Sequence, residues 1–116
     1  MFLQACKTLE DDDGSPSSKS SGRFAQALNG AHLICGAEDS MHAYDYGTYI
    51  GAYLTGSYSV MESWFYGCDY GGESSCTLRI ISETSIHFWE QVWREGTVFP
   101  DAAPDNYYYC YDYECT

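Results

Sequence analysis

The sequence predicts an α/β domain with a small parallel sheet, and three features carry that expectation. Residues 2–6, FLQAC, form a short apolar run that stops at charged and polar residues, as a buried strand does where it leaves a sheet. Residues 31–39, AHLICGAED, repeat the pattern, with Leu33 and Ile34 at the centre and acidic residues at the exit. Between the two runs, Ser21 supplies an N-cap, Phe24, Ala25, Ala27 and Leu28 an apolar helical face, and Asn29-Gly30 a left-handed stop. Strand, helix and strand in that order make one crossover unit, which implies parallel pairing.

Residues 7–21 carry mostly Asp, Ser, Gly, Lys and Pro and read as a long, flexible polar loop between the first strand and its helix. Downstream, Tyr46, Tyr49, Ile50, Tyr53 and Leu54 recur at helical spacing until Gly56. Ser59 followed three residues later by Glu62 is a capping box, and Val60, Trp64 and Phe65 continue an apolar face toward Cys68. TLRIIS, residues 77–82, has strand character. SIHFWEQVWREG places Ile86, Trp89, Val92 and Trp93 near one helical face that Gly96 would end. In the tail, FPDAAPDNYYYCYDYECT, two prolines bar a helix, and the tyrosine run suits an edge strand or a covering flap. A chain of 116 residues has room for one core, so residues 1–116 are expected to form a single domain.

Seventeen acidic against five basic residues give a formal charge of −12, which repels phosphate backbones and anionic headgroups and excludes nucleic acid as a partner class. No apolar run approaches the ~20 residues of a membrane span, and MFLQACKTLEDDD turns acidic where a signal peptide would still be apolar, so neither anchoring nor export is encoded. The acidity is compatible with an extracellular or cell-surface life without specifying it.

Six cysteines are an even count, compatible with disulfides; three bridges would allow about fifteen connectivities. Cys68 and Cys76 flank a Gly-Gly-Glu-Ser-Ser loop, and Cys110 and Cys115 share the tail, so two local bridges suit an oxidising compartment. There is no C-x-x-C pair, and the histidines do not fall at finger spacing from the cysteines, so neither a metal nor a cofactor is expected. His32, at the start of an apolar strand, and His87, in a Phe/Trp-rich segment, read as packing residues.

FLQACKTL resembles the strand of the CHAT peptidases that ends in their nucleophilic cysteine. RFAQALNGAHLICGAED resembles their helix and next strand, and YIGAYLTGSYSVMESWFYGC their following helix pair. SWFYGCDY, TLRIISE and FPDAAPDNYYYCYDYEC are similar to uncharacterised bacterial and archaeal caspase-like domains with an aromatic, cysteine-containing tail. On these segments, taken in order, the chain resembles the C-terminal half of the caspase-like cysteine peptidase superfamily. That resemblance implies a three-layer αβα architecture, with Cys6 as nucleophile at the carboxyl end of its strand. It also implies a role for Glu38 and Asp39 in selecting a Lys or Arg side chain of a polypeptide substrate.

The family's histidine comes from a Gly-His-Gly-like turn after an earlier strand, and that tripeptide does not occur here. The leading expectation is therefore half of a cysteine endopeptidase domain, inactive alone and completed by the missing N-terminal half or by homodimerisation. Two other readings stand beside it. His42, in the loop after the second strand, would serve Cys6 as base with Glu38 or Asp39 orienting it, making a minimal cysteine hydrolase. Alternatively the chain is a non-catalytic extracellular binding or structural module, recognised through its tyrosine-rich tail. In that case Cys6 is a small buried strand residue and Glu38 and Asp39 a solvated loop.

Overall fold

The apolar run Leu33–Ala37 forms strand β1, buried along its whole length. A computed structural model describes residues 2, 3, 9, 28, 31–42, 44–93, 96–101 and 108–115. Beyond β1 the named elements are helices α1 (Gly47–Thr55) and α2 (Val60–Tyr70), strand β2 (Thr77–Ser82), a 3₁₀ turn (His87–Trp89) and strand β3 (Tyr109–Glu114). The domain is thus mixed α/β. The cap of residues 21–30 and the loop of residues 7–21 lie outside the described residues except for Leu9 and Leu28, both buried.

The three strands form a sheet in the order β1-β2-β3, antiparallel throughout, where the sequence predicts parallel pairing. The cause is the number of helices between the strands. One helix carries the chain back to the end at which its first strand began. The packed pair α1 and α2 carries it out and back, so β2 starts beside the end of β1 with Leu78 opposite Ala37 and must run the other way. Parallel pairing is present at one place among the described residues: Phe2 bridges Cys35 in parallel, and the Leu3 N–H donates to the Cys35 carbonyl at 2.7 Å.

Alternation along β1 and β2 divides the core between the two faces of the sheet. Leu33, Cys35, Ala37, Leu78 and Ile80 pack with Trp64, Phe65 and Cys68 of α2 and Ile50 of α1. Ile34 and Ile81, opposite one another in register, pack on the other face with Leu9 and Leu28. The capping box of α2 forms as expected: the Ser59 hydroxyl accepts from the Glu62 N–H, and the Glu62 carboxylate accepts from the Ser59 N–H. Gly67 lets α2 approach α1 closely, since a Cβ there would lie 2.9 Å from the backbone of Ile50.

Two expectations are corrected. The described residues of 86–96, which are 86–93 and 96, do not form an amphipathic helix. The chain makes the single 3₁₀ turn, Glu90 is extended (φ −60°, ψ 137°), and Ile86, Trp89, Val92 and Trp93 are exposed while His87, Phe88 and Glu90 are buried. The Val60 N–H donates to the Glu90 carbonyl and the Gln91 N–H to the Thr97 carbonyl, so tertiary partners take the groups a helix would have paired. Nor do the local disulfides form, since Cys68, Cys76, Cys110 and Cys115 are all thiols. Five residues of extended strand separate Cys110 from Cys115 by about 16 Å, far beyond the ~7 Å within which a bridge closes. The tyrosine-rich tail is the edge strand β3, paired with β2. No helix among the described residues is long and apolar enough to cross a membrane.

Candidate functional site

The carboxyl end of β1 is where the sequence-predicted site residues fall. Glu38 and Asp39 form a bend directly after Ala37, both half-buried, and the Glu38 N–H donates to the Thr77 carbonyl at 2.9 Å, holding the bend against the start of β2. The Asp39 carboxylate is close enough to the Cys76 thiol, the residue before β2, to help raise its pKa, after burial, which is the largest cause. Cys6 lies outside the described residues. Its neighbours in the chain that are described both bond to β1: Leu3 to the Cys35 carbonyl, and Leu9, whose N–H donates to the Ala37 carbonyl at 2.9 Å.

His42 follows four residues after the bend, with half of its side chain exposed. Its orienting carboxylate is neither Glu38 nor Asp39 but Glu73, from the loop between α2 and β2. Glu73 Oε1 lies 2.8 Å from His42 Nδ1, and Glu73 Oε2 accepts from the His42 N–H at 2.9 Å and from the buried Tyr46 hydroxyl at 2.6 Å. Glu73 is itself fully buried. Gly72 at φ 115° and Ser75 at φ 55° turn the chain on either side of it and direct it inward. A carboxylate on Nδ1 sets the tautomer with the proton there, so Nε2 is the accepting nitrogen and faces away from Glu73. A histidine held in this way is equipped to take up a proton from a neighbouring nucleophile or water.

Burial opposes ionisation of Glu73. The hydrogen bonds from Tyr46, from the ring and backbone of His42 and from the Ser74 N–H outweigh it, and the carboxyl is held below its ordinary value of 4.5. A carboxyl depressed in the folded state contributes stability that is present above the unfolded value and is lost as pH falls through the folded one. Glu73→Gln is therefore expected to flatten the acid side of a plot of unfolding free energy against pH, measured in urea from neutral pH down past the ordinary carboxyl range. Parallel curves for the two proteins would remove Glu73 from that role.

The described thiols of the core are poor nucleophiles. Burial, the largest effect in each, pushes Cys35 and Cys115 up to about 12 and raises Cys68 and Cys76 further. Each stays protonated at neutral pH and behaves as a small apolar side chain.

The opposite end of β1 carries a second cluster, which sequence reading had assigned to packing. His32 Nδ1 lies 2.6 Å from Glu90 Oε1, and His32 Nε2 2.5 Å from Asp101 Oδ1. The His87 ring stacks on His32 with centroids 4.2 Å apart. His87 Nε2 lies 2.9 Å from the Pro100 carbonyl. The hydrogen bond to Asp101 raises the His32 pKa; burial opposes this and Glu90 adds to it. His32, His87 and Glu90 each offer one ligand atom, all within 4.8 Å of one another, and among the described residues they are the group that could hold a metal ion.

Fold and site together define a mixed α/β domain with a histidine–carboxylate pair at the exit of its first named strand. The chain belongs to the DUF6345 family, a domain of unknown function, which it matches over residues 1–113. No curated protein and no solved structure matches it.

Proposed function

We propose that this chain is the nucleophile-bearing part of a caspase-like cysteine peptidase domain, with Cys6 as nucleophile and Glu38 and Asp39 selecting a basic substrate side chain. The observation that carries the reading is the parallel pairing of Phe2 and Leu3 with β1, which is the relation a strand–crossover–strand unit requires. It brings the segment leading to Cys6 alongside the strand whose carboxyl end bears Glu38 and Asp39, the end at which ligands bind in open α/β sheets. In this reading the family's histidine comes from outside these 116 residues, from the remainder of the domain or from another polypeptide. The 116 residues alone then have no hydrolytic activity.

The His42–Glu73 pair favours a second reading, in which His42 is the base for Cys6 and the chain is a minimal hydrolase. The two separate in one experiment. Peptidyl probes that place Lys or Glu beside a thiol-reactive carbon are incubated with the chain, and labelling of each cysteine is followed by mass spectrometry. In both readings the Lys probe labels Cys6 faster than the Glu probe does, and replacing Glu38 and Asp39 by Ala abolishes the difference. His42→Ala leaves the labelling rate unchanged in the first reading and lowers it in the second by roughly the 10²–10⁴-fold typical of a general base. Equal labelling by the two probes would sink both.

A further inference from the structure

We infer that His32, His87 and Glu90 form a binding site for one divalent first-row metal ion of the zinc type. This site lies at the opposite end of β1 from Glu38 and Asp39 and does not depend on the reading proposed for Cys6.

The 3₁₀ turn builds the local half of the site. With three residues per turn, positions i and i+3 eclipse, so His87 and Glu90 project on the same side. The residue before β1, His32, meets them there from the neighbouring strand, its carbonyl accepting from the Glu83 N–H just after β2.

Each ligand is already oriented through its other polar atom. His32 Nε2 faces the Asp101 carboxylate, and His87 Nε2 faces the Pro100 carbonyl. Glu90 Oε2 accepts from the Phe99 N–H at 2.9 Å. A carboxylate or a backbone carbonyl on the far nitrogen is the usual outer support of a metal-bound histidine, fixing its tautomer and raising its basicity. The atoms that face one another are His32 Nδ1 and Glu90 Oε1, 2.6 Å apart with a proton between them that an ion displaces, and His87 Nδ1.

His87 Nδ1 is the independent observation that points to a ligand. With the Nε2 proton on Pro100, Nδ1 presents a bare lone pair, and it has no hydrogen-bond partner although the side chain is fully buried. A buried acceptor left in this way is unfavourable, and a bound cation relieves it. The Glu83 carboxylate stands 3.8 Å from that nitrogen, too far to bond it directly.

Two imidazole nitrogens and a carboxylate oxygen match zinc and its first-row neighbours rather than calcium or magnesium, which take oxygen sets. Ligand atoms about 2.0–2.2 Å from one ion stand roughly 3.3–3.6 Å apart at tetrahedral angles, so a set whose atoms lie within 4.8 Å of one another closes by up to about an ångström on binding. The imidazole planes, 9° apart in their stack, hold their lone pairs in parallel planes and must open for both to point at one ion. A cavity of about 330 Å³ lined by His32, Glu90, Val60 and Val92 leaves a route for the ion and room for a water as a further ligand.

The test strips the purified chain with a chelator and titrates it with Zn²⁺ by calorimetry and with Co²⁺ by absorption. One ion per chain is expected, with a cobalt spectrum free of thiolate charge transfer, since the core also holds four thiols. Glu90→Gln and His32→Gln are expected to abolish that binding. Asp101→Asn, at a side chain 71% exposed and thus harmless to folding, weakens it about 10- to 100-fold. Ring protons of both histidines shift on Zn²⁺ addition as the stack opens. Absence of binding, a thiolate spectrum, or affinity unchanged in Asp101→Asn and Glu90→Gln overturns the assignment.

Discussion

Trp64→Ala is expected to destabilise the folded chain by about 3–5 kcal/mol, the usual cost of removing a fully buried tryptophan. Trp64 has no exposed surface and projects from α2 into the larger core cluster. Its indole N–H donates to the Gly36 carbonyl at 3.1 Å, and its ring stacks on Phe2 with centroids 5.6 Å apart. One side chain therefore joins α2 to β1 and to the segment that pairs with β1 in parallel. Trp64→Phe keeps most of the volume but loses the indole hydrogen bond to the Gly36 carbonyl, at about 0.5–1.5 kcal/mol. Urea midpoints of the three proteins check the order. Since domains of this kind have about 5–15 kcal/mol in total, the alanine variant is expected to be partly unfolded at 37 °C. If it lost no more than the phenylalanine variant, the indole's packing would not be what anchors the helix pair to the sheet.

The elements readable in the sequence are those decided by chemistry within a few residues. The capping box at Ser59 and Glu62, the apolar run of β1 and the Gly56 stop of α1 are each local, and each forms where the pattern puts it. Strand direction is legible too, in the number of helices between β1 and β2 rather than in the strand–helix–strand order of residues 2–39. The periodicity of α1 and α2 already marks two helices between β1 and β2, and an even number returns the chain to the end it left. Residues 86–96 could not be read, because their conformation is decided at a distance. Glu90 is drawn inward to His32, 58 positions away, and with it inside, the aromatic residues that mimic a helical face point to solvent.

The candidate sites divide in the same way. His42 was identifiable from its place just after an apolar strand with an acidic exit. Its partner was not. Glu73 is one of 17 acidic residues, and nothing next to it in sequence distinguishes a buried carboxylate from a solvated one. What selects it is the fold of the loop between α2 and β2, with Gly72 and Ser75 in the left-handed region, and contacts 27 and 31 positions back in the chain. The histidine cluster at the other end of β1 was hidden for a related reason. Only His87 and Glu90 are close in sequence, and their spacing acquires meaning only on a 3₁₀ turn.

Arg79→Met is the second substitution expected to have a large effect, about 2–4 kcal/mol, and competing contributions decide its size. The Arg79 side chain is nearly buried on the face of β2 away from the helices. Its Nε–H and Nη2–H groups donate to the two Asp112 carboxylate oxygens at 2.7 and 2.8 Å, and an Nη1–H donates to the Leu9 carbonyl at 3.1 Å. It thus ties β3 and the Leu9 segment to β2 with one planar group, a geometry lysine cannot supply. Methionine retains much of the buried stem, which limits the packing loss. The Leu9 carbonyl, however, loses its donor in a buried position, at about 1–3 kcal/mol. The Asp112 side chain is 43% exposed and regains water, so its share is small. Asp112→Asn should accordingly cost less than about 1 kcal/mol, because the amide oxygen still accepts from the guanidinium. Chemical denaturation of both variants measures the difference. If Asp112→Asn cost as much as Arg79→Met, the charge pair on the strand edge rather than the buried contact to Leu9 would be holding this side of the sheet.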